Sequence, residues 1–222
     1  MRKRPFITIK IAQTFDGKIA ATGGRSRWIT GSQSRAFVHR LRTQHDAVLV
    51  GKNTFVLDRP RLSSLKPGNP IWKIILASPS ILPVKQARVF DSGVQVVFVV
   101  EKKDLKSWVN EPSLKNKDCV FLPVKKKGPE GYDLLDLLDK LHHLGVKKLL
   151  VEGGGEVFWS FFKNKLADRI YWMMAPKVIG GRDAKSSVEG SGVKDPNLAI
   201  NLKVKKVKKL GQDYYFEAVF AA

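Results

Sequence analysis

The stretch Leu149-Leu150-Val151-Glu152-Gly153-Gly154-Gly155-Glu156-Val157 constrains this chain more than any other. An apolar run ends in a carboxylate and three glycines, and Phe158-Trp159-Ser160-Phe161-Phe162 follows. That order reads as buried strand, glycine turn, helix start. Glycine lets the backbone approach a ligand where a Cβ would collide. Unpaired N–H groups at a helix start suit an anion. The stretch fits a tight turn that binds nothing, and it equally fits a phosphate cradle for a nucleotide cofactor. The same order occurs earlier, where Ala47-Val48-Leu49-Val50 runs into Gly51-Lys52-Asn53-Thr54-Phe55. Lys52 brings a point charge and Thr54 a hydroxyl. Two such turns suit opposite ends of one dinucleotide. Neither is a GxGxxG fingerprint or a GxxxxGK[ST] loop, which disfavours a standard doubly wound nucleotide fold.

The other apolar runs are Ile7–Ala12, Ile71–Ala77, Val94–Val100, Val120–Val124, Arg169–Pro176 and Tyr214–Phe220, all read as strands. Helical patterns lie between some of them. Thr30 or Ser32 is suited to cap a helix running to Arg42, with Phe37, Val38 and Leu41 on one side. Leu134, Leu138 and Leu141 share a second helical face, which Gly145 is suited to end. Strands alternating with helices imply an α/β fold whose sheet is parallel where a helix intervenes. Leu202–Leu210 and Tyr214–Phe220 read as an antiparallel hairpin turning at Gly211-Gln212-Asp213. With 222 residues and no repeat or long linker, residues 1–222 are expected to form a single domain.

The net charge of +20 steers anions toward the protein. Much of the excess lies in Lys125-Lys126-Lys127 and Lys203-Val204-Lys205-Lys206-Val207-Lys208-Lys209. No aromatic residues interleave with the second run to stack bases. It reads as a strand whose lysines are solvated and blunt an exposed edge. A basic nucleic-acid-binding protein is the rival reading from another class. No apolar run approaches the ~20 residues of a membrane span, and no signal-peptide apolar region follows the basic start. A single cysteine, Cys119, excludes an internal disulfide and suits a reducing cytoplasm. It reads as a small buried residue rather than a nucleophile.

A third cluster is N-terminal: Lys10, Ala12, Thr14, Phe15-Asp16-Gly17-Lys18 and Ser26-Arg27-Trp28-Ile29-Thr30. Asp16-Gly17 is a turn signal. Trp28 is suited to cover a flat ring, or to pack beside Ile29. Together with Leu41-Arg42, Asp46-Ala47-Val48-Leu49-Val50-Gly51, Val151-Glu152-Gly153-Gly154 and Ala175-Pro176-Lys177-Val178-Ile179-Gly180-Gly181, these residues carry a family resemblance. The chain resembles the reductase domain of the bifunctional riboflavin biosynthesis deaminase–reductase. The pieces occur in the family's order along nearly the whole chain. One cysteine cannot supply the zinc deaminase half, so the chain reads as a stand-alone reductase without a metal.

The resemblance implies a dihydrofolate-reductase-like fold: a mixed, mostly parallel central sheet flanked by helices, with a C-terminal antiparallel hairpin. It implies NADPH-dependent reduction of the ribosyl group of 5-amino-6-(5-phosphoribosylamino)uracil, with the not-yet-deaminated diaminopyrimidine, or another pyrimidine or pteridine, as the alternative. It places Ala12, Trp28, Thr54, Asp58 and Ser78 on NADPH, to which the reading of the second glycine turn adds Gly51 and Lys52. The turn Gly153, Gly154, Gly155, Glu156 and Val157 joins them. Ser26, Arg42, Leu62 and Glu152 face the substrate, Arg42 offering a planar fork to its phosphate. Glu152 and Lys10 are the catalytic candidates. Lys52, and less directly Lys85, are candidates for the 2′-phosphate. The family's members form homodimers, and the hairpin is suited to that contact. The chain departs from the family at Asp58-Arg59-Pro60-Arg61-Leu62-Ser63-Ser64-Leu65. Leu65 stands where the family has a substrate-binding arginine; Arg59 and Arg61 bring new cations a few residues earlier, suited either to replace the lost charge or to a different substrate.

Overall fold

A computed structural model describes residues 4–64, 71–77, 87–92, 94–127 and 131–221. In chain order these form β1 (Phe6–Thr14), α1 (Ser32–Thr43), β2 (Ala47–Gly51), α2 (Lys52–Asp58), β3 (Trp72–Leu76), β4 (Val96–Glu101) and α3 (Leu105–Val109). There follow β5 (Cys119–Val124), α4 (Leu134–His143), β6 (Lys148–Val151), α5 (Gly155–Lys163), β7 (Arg169–Ala175), β8 (Leu202–Leu210) and β9 (Asp213–Phe220). The chain divides into two compact units, one built on Arg42–Leu149 and the other on Phe6–Leu41 with Leu150–Ala222. The divisions fall inside α1 and β6.

In the first unit β5, β4, β3 and β2 lie side by side, all parallel. Every residue of Ala47–Val50 and Val96–Val100 is fully buried. Apolar runs without alternation are what a parallel sheet covered on both faces requires. Phe98 anchors an aromatic cluster, stacked on Trp108 at 5.7 Å and edge-on to Phe55 at 6.0 Å. Helix α4 begins where the Asp133 carboxylate accepts from the N–H groups of Leu135 and Asp136. It ends at Gly145, whose φ of +89° permits the Val146 N–H to reach the Leu141 carbonyl. Leu134, Leu137, Leu138 and Leu141 are its buried face.

In the second unit β1 pairs parallel with β7, and β9 lies antiparallel between β7 and β8. Phe37 of α1 packs on Tyr171 at 5.3 Å and Tyr215 at 5.1 Å. Gly31, rather than Thr30 or Ser32, precedes the first helical residue, and its carbonyl accepts the Arg35 N–H at 3.1 Å. The hairpin turns on Gly211 and Gln212 alone. Asp213, expected in the turn, is the first residue of β9 and only 2% exposed. Strand β8 is open to solvent along its middle, as its lysines require, and a bulge falls between Val204 and Lys206. Among the described residues no helix is long and apolar enough to cross a membrane.

Candidate functional site

The glycine turn lies in the second unit and has the expected order. Strand β6 ends at Val151, and α5 starts at Gly155 with Gly154 as its N-terminal cap. Gly154 is extended, at φ −82° and ψ −179°, and no side chain caps the helix. The first backbone N–H groups of α5 therefore retain capacity for an anion. The three glycines are not equivalent. None of them has a left-handed backbone. A Cβ on Gly153 would stand 2.6 Å from the Cβ of Val157, and one on Gly155 would stand 2.8 Å from the Ser186 carbonyl oxygen. Those two positions are glycine because the protein's own chain fills the space. This corrects the expectation that all three open room for a ligand.

Glu152, immediately before the turn, faces Lys10 of β1. Lys10 Nζ lies 3.9 Å from Glu152 Oε2, with the side chains 16% and 7% exposed. A lysine interposed in a strand ordinarily reaches water, but this one is drawn in by a carboxylate. Low exposure reduces solvent screening, so each charge holds the other strongly. The pair sets a donor and an acceptor side by side at a strand end.

The N-terminal cluster folds around the end of β1. Ala12 is half-buried on that strand, and Ser26 is half-buried in the following loop. Asp16 is more than a turn residue. Its carboxylate accepts from Thr14 Oγ1 at 2.5 Å and from the backbone N–H of Gly180 at 2.7 Å, with Ile179 N–H at 3.2 Å. These bonds, that from Thr14 foremost, lower its pKa to about 2. Trp28 does not pack beside Ile29: it is 67% exposed, whereas Ile29 is buried.

In the first unit Gly51 caps α2 with an extended backbone and no side-chain partner. Lys52 and Thr54 lie in the first turn of α2 and Asp58 ends it, all three half-buried. Arg42 donates to the Ser63 carbonyl at 3.4 Å. Arg61 Nε pairs with Asp91 Oδ2 at 3.3 Å. Leu62 has a left-handed backbone, φ 51°, and is 2% exposed, so its side chain belongs to the interior. Ser78, Leu65 and Lys85 lie outside the described residues.

The sequence reading passed over Lys73, which the strand pattern disguises. It lies within β3, fully buried, and donates to the Val89 carbonyl. Burial lowers its pKa to about 8, Arg42 adding to the shift and Asp91 opposing it. Cys119 is half-buried at the start of β5, and burial raises its thiol pKa, as suits an unreactive residue.

Parallel strands with helices between them, a C-terminal antiparallel hairpin and a carboxylate ahead of a glycine turn fit a dihydrofolate-reductase-like fold. Residues 5–216 match the family described as the RibD C-terminal domain, and the chain belongs to that family. It is 32% identical over 219 residues to riboflavin biosynthesis protein RibD of Actinobacillus pleuropneumoniae, covering 98% of this chain and 57% of that protein. It is 33% identical to the 2,5-diamino-6-ribosylamino-4(3H)-pyrimidinone 5′-phosphate reductase of Methanothermobacter thermautotrophicus, covering 96% of this chain and 97% of that one. A solved Thermotoga maritima structure, a diaminohydroxyphosphoribosylaminopyrimidine deaminase/5-amino-6-(5-phosphoribosylamino)uracil reductase, superposes with a TM-score of 0.76 at 25% identity, over 99% of this chain and 57% of that one. The chain thus spans little more than half the length of the bacterial relatives, and nearly all of the archaeal one.

Proposed function

We propose that this protein is an NADPH-dependent reductase of riboflavin biosynthesis, acting on 5-amino-6-(5-phosphoribosylamino)uracil. The observation that carries this reading is the Lys10–Glu152 pair directly ahead of an uncapped helix start, within a chain matched by the reductase family over residues 5–216. Residues 1–222 act as a single reductase domain. When bound, a reduced nicotinamide dinucleotide would supply a hydride to C1′ of the opened sugar, whose imine nitrogen would take up a proton. The residues fit such a cofactor: backbone N–H groups of Gly155, Glu156 and Val157 suit its phosphates, and Lys52 suits the extra phosphate that distinguishes NADPH. Ala12, Trp28, Thr54, Asp58, Gly51, Gly153, Gly154 and Ser78 complete that assignment.

The chain's own chemistry is proton handling and orientation. Opening the furanose moves a proton from the glycosylic nitrogen to the ring oxygen. Lys10 polarises that oxygen, and Glu152 accepts from the pyrimidine N–H groups. Arg42 takes the phosphate. Arg61, tied to Asp91, stands in for the arginine replaced by Leu65, while Ser26 and the Leu62 backbone complete substrate recognition.

A second reading is reduction of the diaminopyrimidine before deamination. The archaeal relative carrying that name is spanned over 97% of its length. Loss of NADPH absorbance with each synthetic pyrimidine, compared as kcat/KM, separates the two. Turnover of neither, with turnover of another carbonyl or pteridine, would reject both.

The proposed assembly is a cytoplasmic homodimer joined through the β8–β9 hairpin. Val204 and Val207, paired with Ala218 and Phe216, are 53% and 52% exposed, an apolar row on an edge strand. Val207→Glu is expected to yield monomers in sedimentation, and an unchanged mass would move the contact elsewhere.

A further inference from the structure

Trp28 has a φ of 69°. A bulky residue holds a left-handed backbone only when its surroundings impose it. Burial of the ring does not impose it, because the indole is 67% exposed. Polar contacts on either side of the residue do. Lys177 Nζ donates to the Trp28 carbonyl oxygen at 2.8 Å. The Arg35 guanidinium lies 4.3 Å above the indole centroid, and the same group donates to the Thr30 carbonyl at 2.6 Å.

Both anchors are themselves fixed. The Lys177 carbonyl accepts the Phe15 N–H at 2.8 Å, and two and three residues further on the Ile179 and Gly180 N–H groups donate to Asp16. Arg35 sits in the first turn of α1, whose preceding Gly31 N–H is held by Asp213 at 2.7 Å. A strained, exposed aromatic ring fastened from two segments is costly as a surface feature and sensible as a preorganised contact.

We propose that Lys177 is a positioning residue: it holds Trp28 left-handed, so that the indole, with Arg35 over one face, presents its other face to a flat ligand ring. The inference rests on the nicotinamide-cofactor reading for that ring, but the fastening itself is independent of it. Lys177 bonds to the main chain of Trp28, so its effect on a ligand travels through the backbone angle.

The test labels the protein with 5-fluorotryptophan and assigns the Trp28 fluorine resonance by its absence in Trp28→Phe. In ligand-free protein, Lys177→Met is expected to shift or broaden that resonance while leaving those of Trp108 and Trp172 in place, and Lys177→Arg to restore it largely. In turnover, Lys177→Met is expected to raise the KM for NADPH about tenfold with kcat falling less than twofold. A Trp28 resonance unmoved by Lys177→Met overturns the proposal. So does an equal movement of every tryptophan resonance, which would mark general unfolding; Lys177→Gln, which keeps a donor of shorter reach, repeats the measurement in a milder background. If NADPH leaves the Trp28 resonance of the wild-type protein untouched, the cofactor reading fails, while the ligand-free comparison still decides the fastening.

Discussion

Asp213 ties the first residue of β9 to the start of α1: one carboxylate oxygen accepts the Gly31 N–H at 2.7 Å and the Ser34 hydroxyl at 2.6 Å. Both Asp213 and Ser34 are buried. Removing the acceptor strands the buried Ser34 hydroxyl, at a cost on the order of 1–3 kcal/mol, whereas the N–H of Gly31, an exposed residue, can turn to water. Asp213→Ala is therefore expected to lower stability by about 2 kcal/mol in urea denaturation. Ser34→Ala should lose less, because it removes one bond and strands no donor.

In the proposed reaction the Lys10–Glu152 pair is expected to govern turnover rather than cofactor affinity. Glu152→Gln keeps the shape and removes the charge, so kcat is expected to fall at least about a hundredfold, within the range of lost acid–base assistance. Lys10→Met should fall by a similar factor. NADPH affinity, read by calorimetry, should stay within about twofold in both. A loss of affinity matching the loss of kcat would move the pair to the cofactor.

The glycines of the turn separate by experiment. Gly155→Ala pushes a Cβ toward the Ser186 carbonyl, a rigid backbone atom 2.8 Å away, and is expected to cost about 2 kcal/mol of stability. Gly154→Val is expected to keep the fold and weaken NADPH binding by crowding the helix start. Equal unfolding in the two variants would make the whole turn structural.

Lys73 makes stability depend on alkaline pH. Its folded pKa, about 8, lies below the ordinary lysine value of 10.5. Between those values the unfolded chain binds more protons, so stability rises with pH across that window. Below about pH 8 the full cost of burying the ammonium is present. Lys73→Met is expected to flatten the rise and to gain about 2 kcal/mol near pH 7. Urea midpoints from pH 7 to 10 check it.

Asp16 acts at the opposite end. Its pKa is lowered to about 2, so the stability it contributes is present above the unfolded value near 4 and is lost as pH falls through 2. Asp16→Asn is expected to lower Tm at neutral pH by loosening the Ile179–Gly180 segment, with the difference vanishing near pH 2.

The apolar runs and the two strand–glycine–helix orders were legible because their signals are local. A run such as Val96–Val100 excludes water wherever it goes, and Leu134, Leu138 and Leu141 share one helical face. The ordered motifs likewise named the family, since they preserve residue type and spacing. What the pattern hid are contacts between distant segments. Asp213 follows Gly211-Gln212 and has turn chemistry, yet it is buried because α1 needs an acceptor for Gly31. Lys73 looks like a polar interruption of a strand, and its depth shows only when Val89 comes to meet its ammonium. Trp28 looks like packing, yet it is left-handed and exposed, and its carbonyl is bonded by Lys177, far away in sequence. The chain by itself determined its elements, its family and which residue types gather at the glycine turn, because each follows from neighbours along the backbone. Only the tertiary structure decided which glycines make room for the protein itself, and which charges lose their water and must find one another, because burial is a property of the folded surroundings and not of the local sequence.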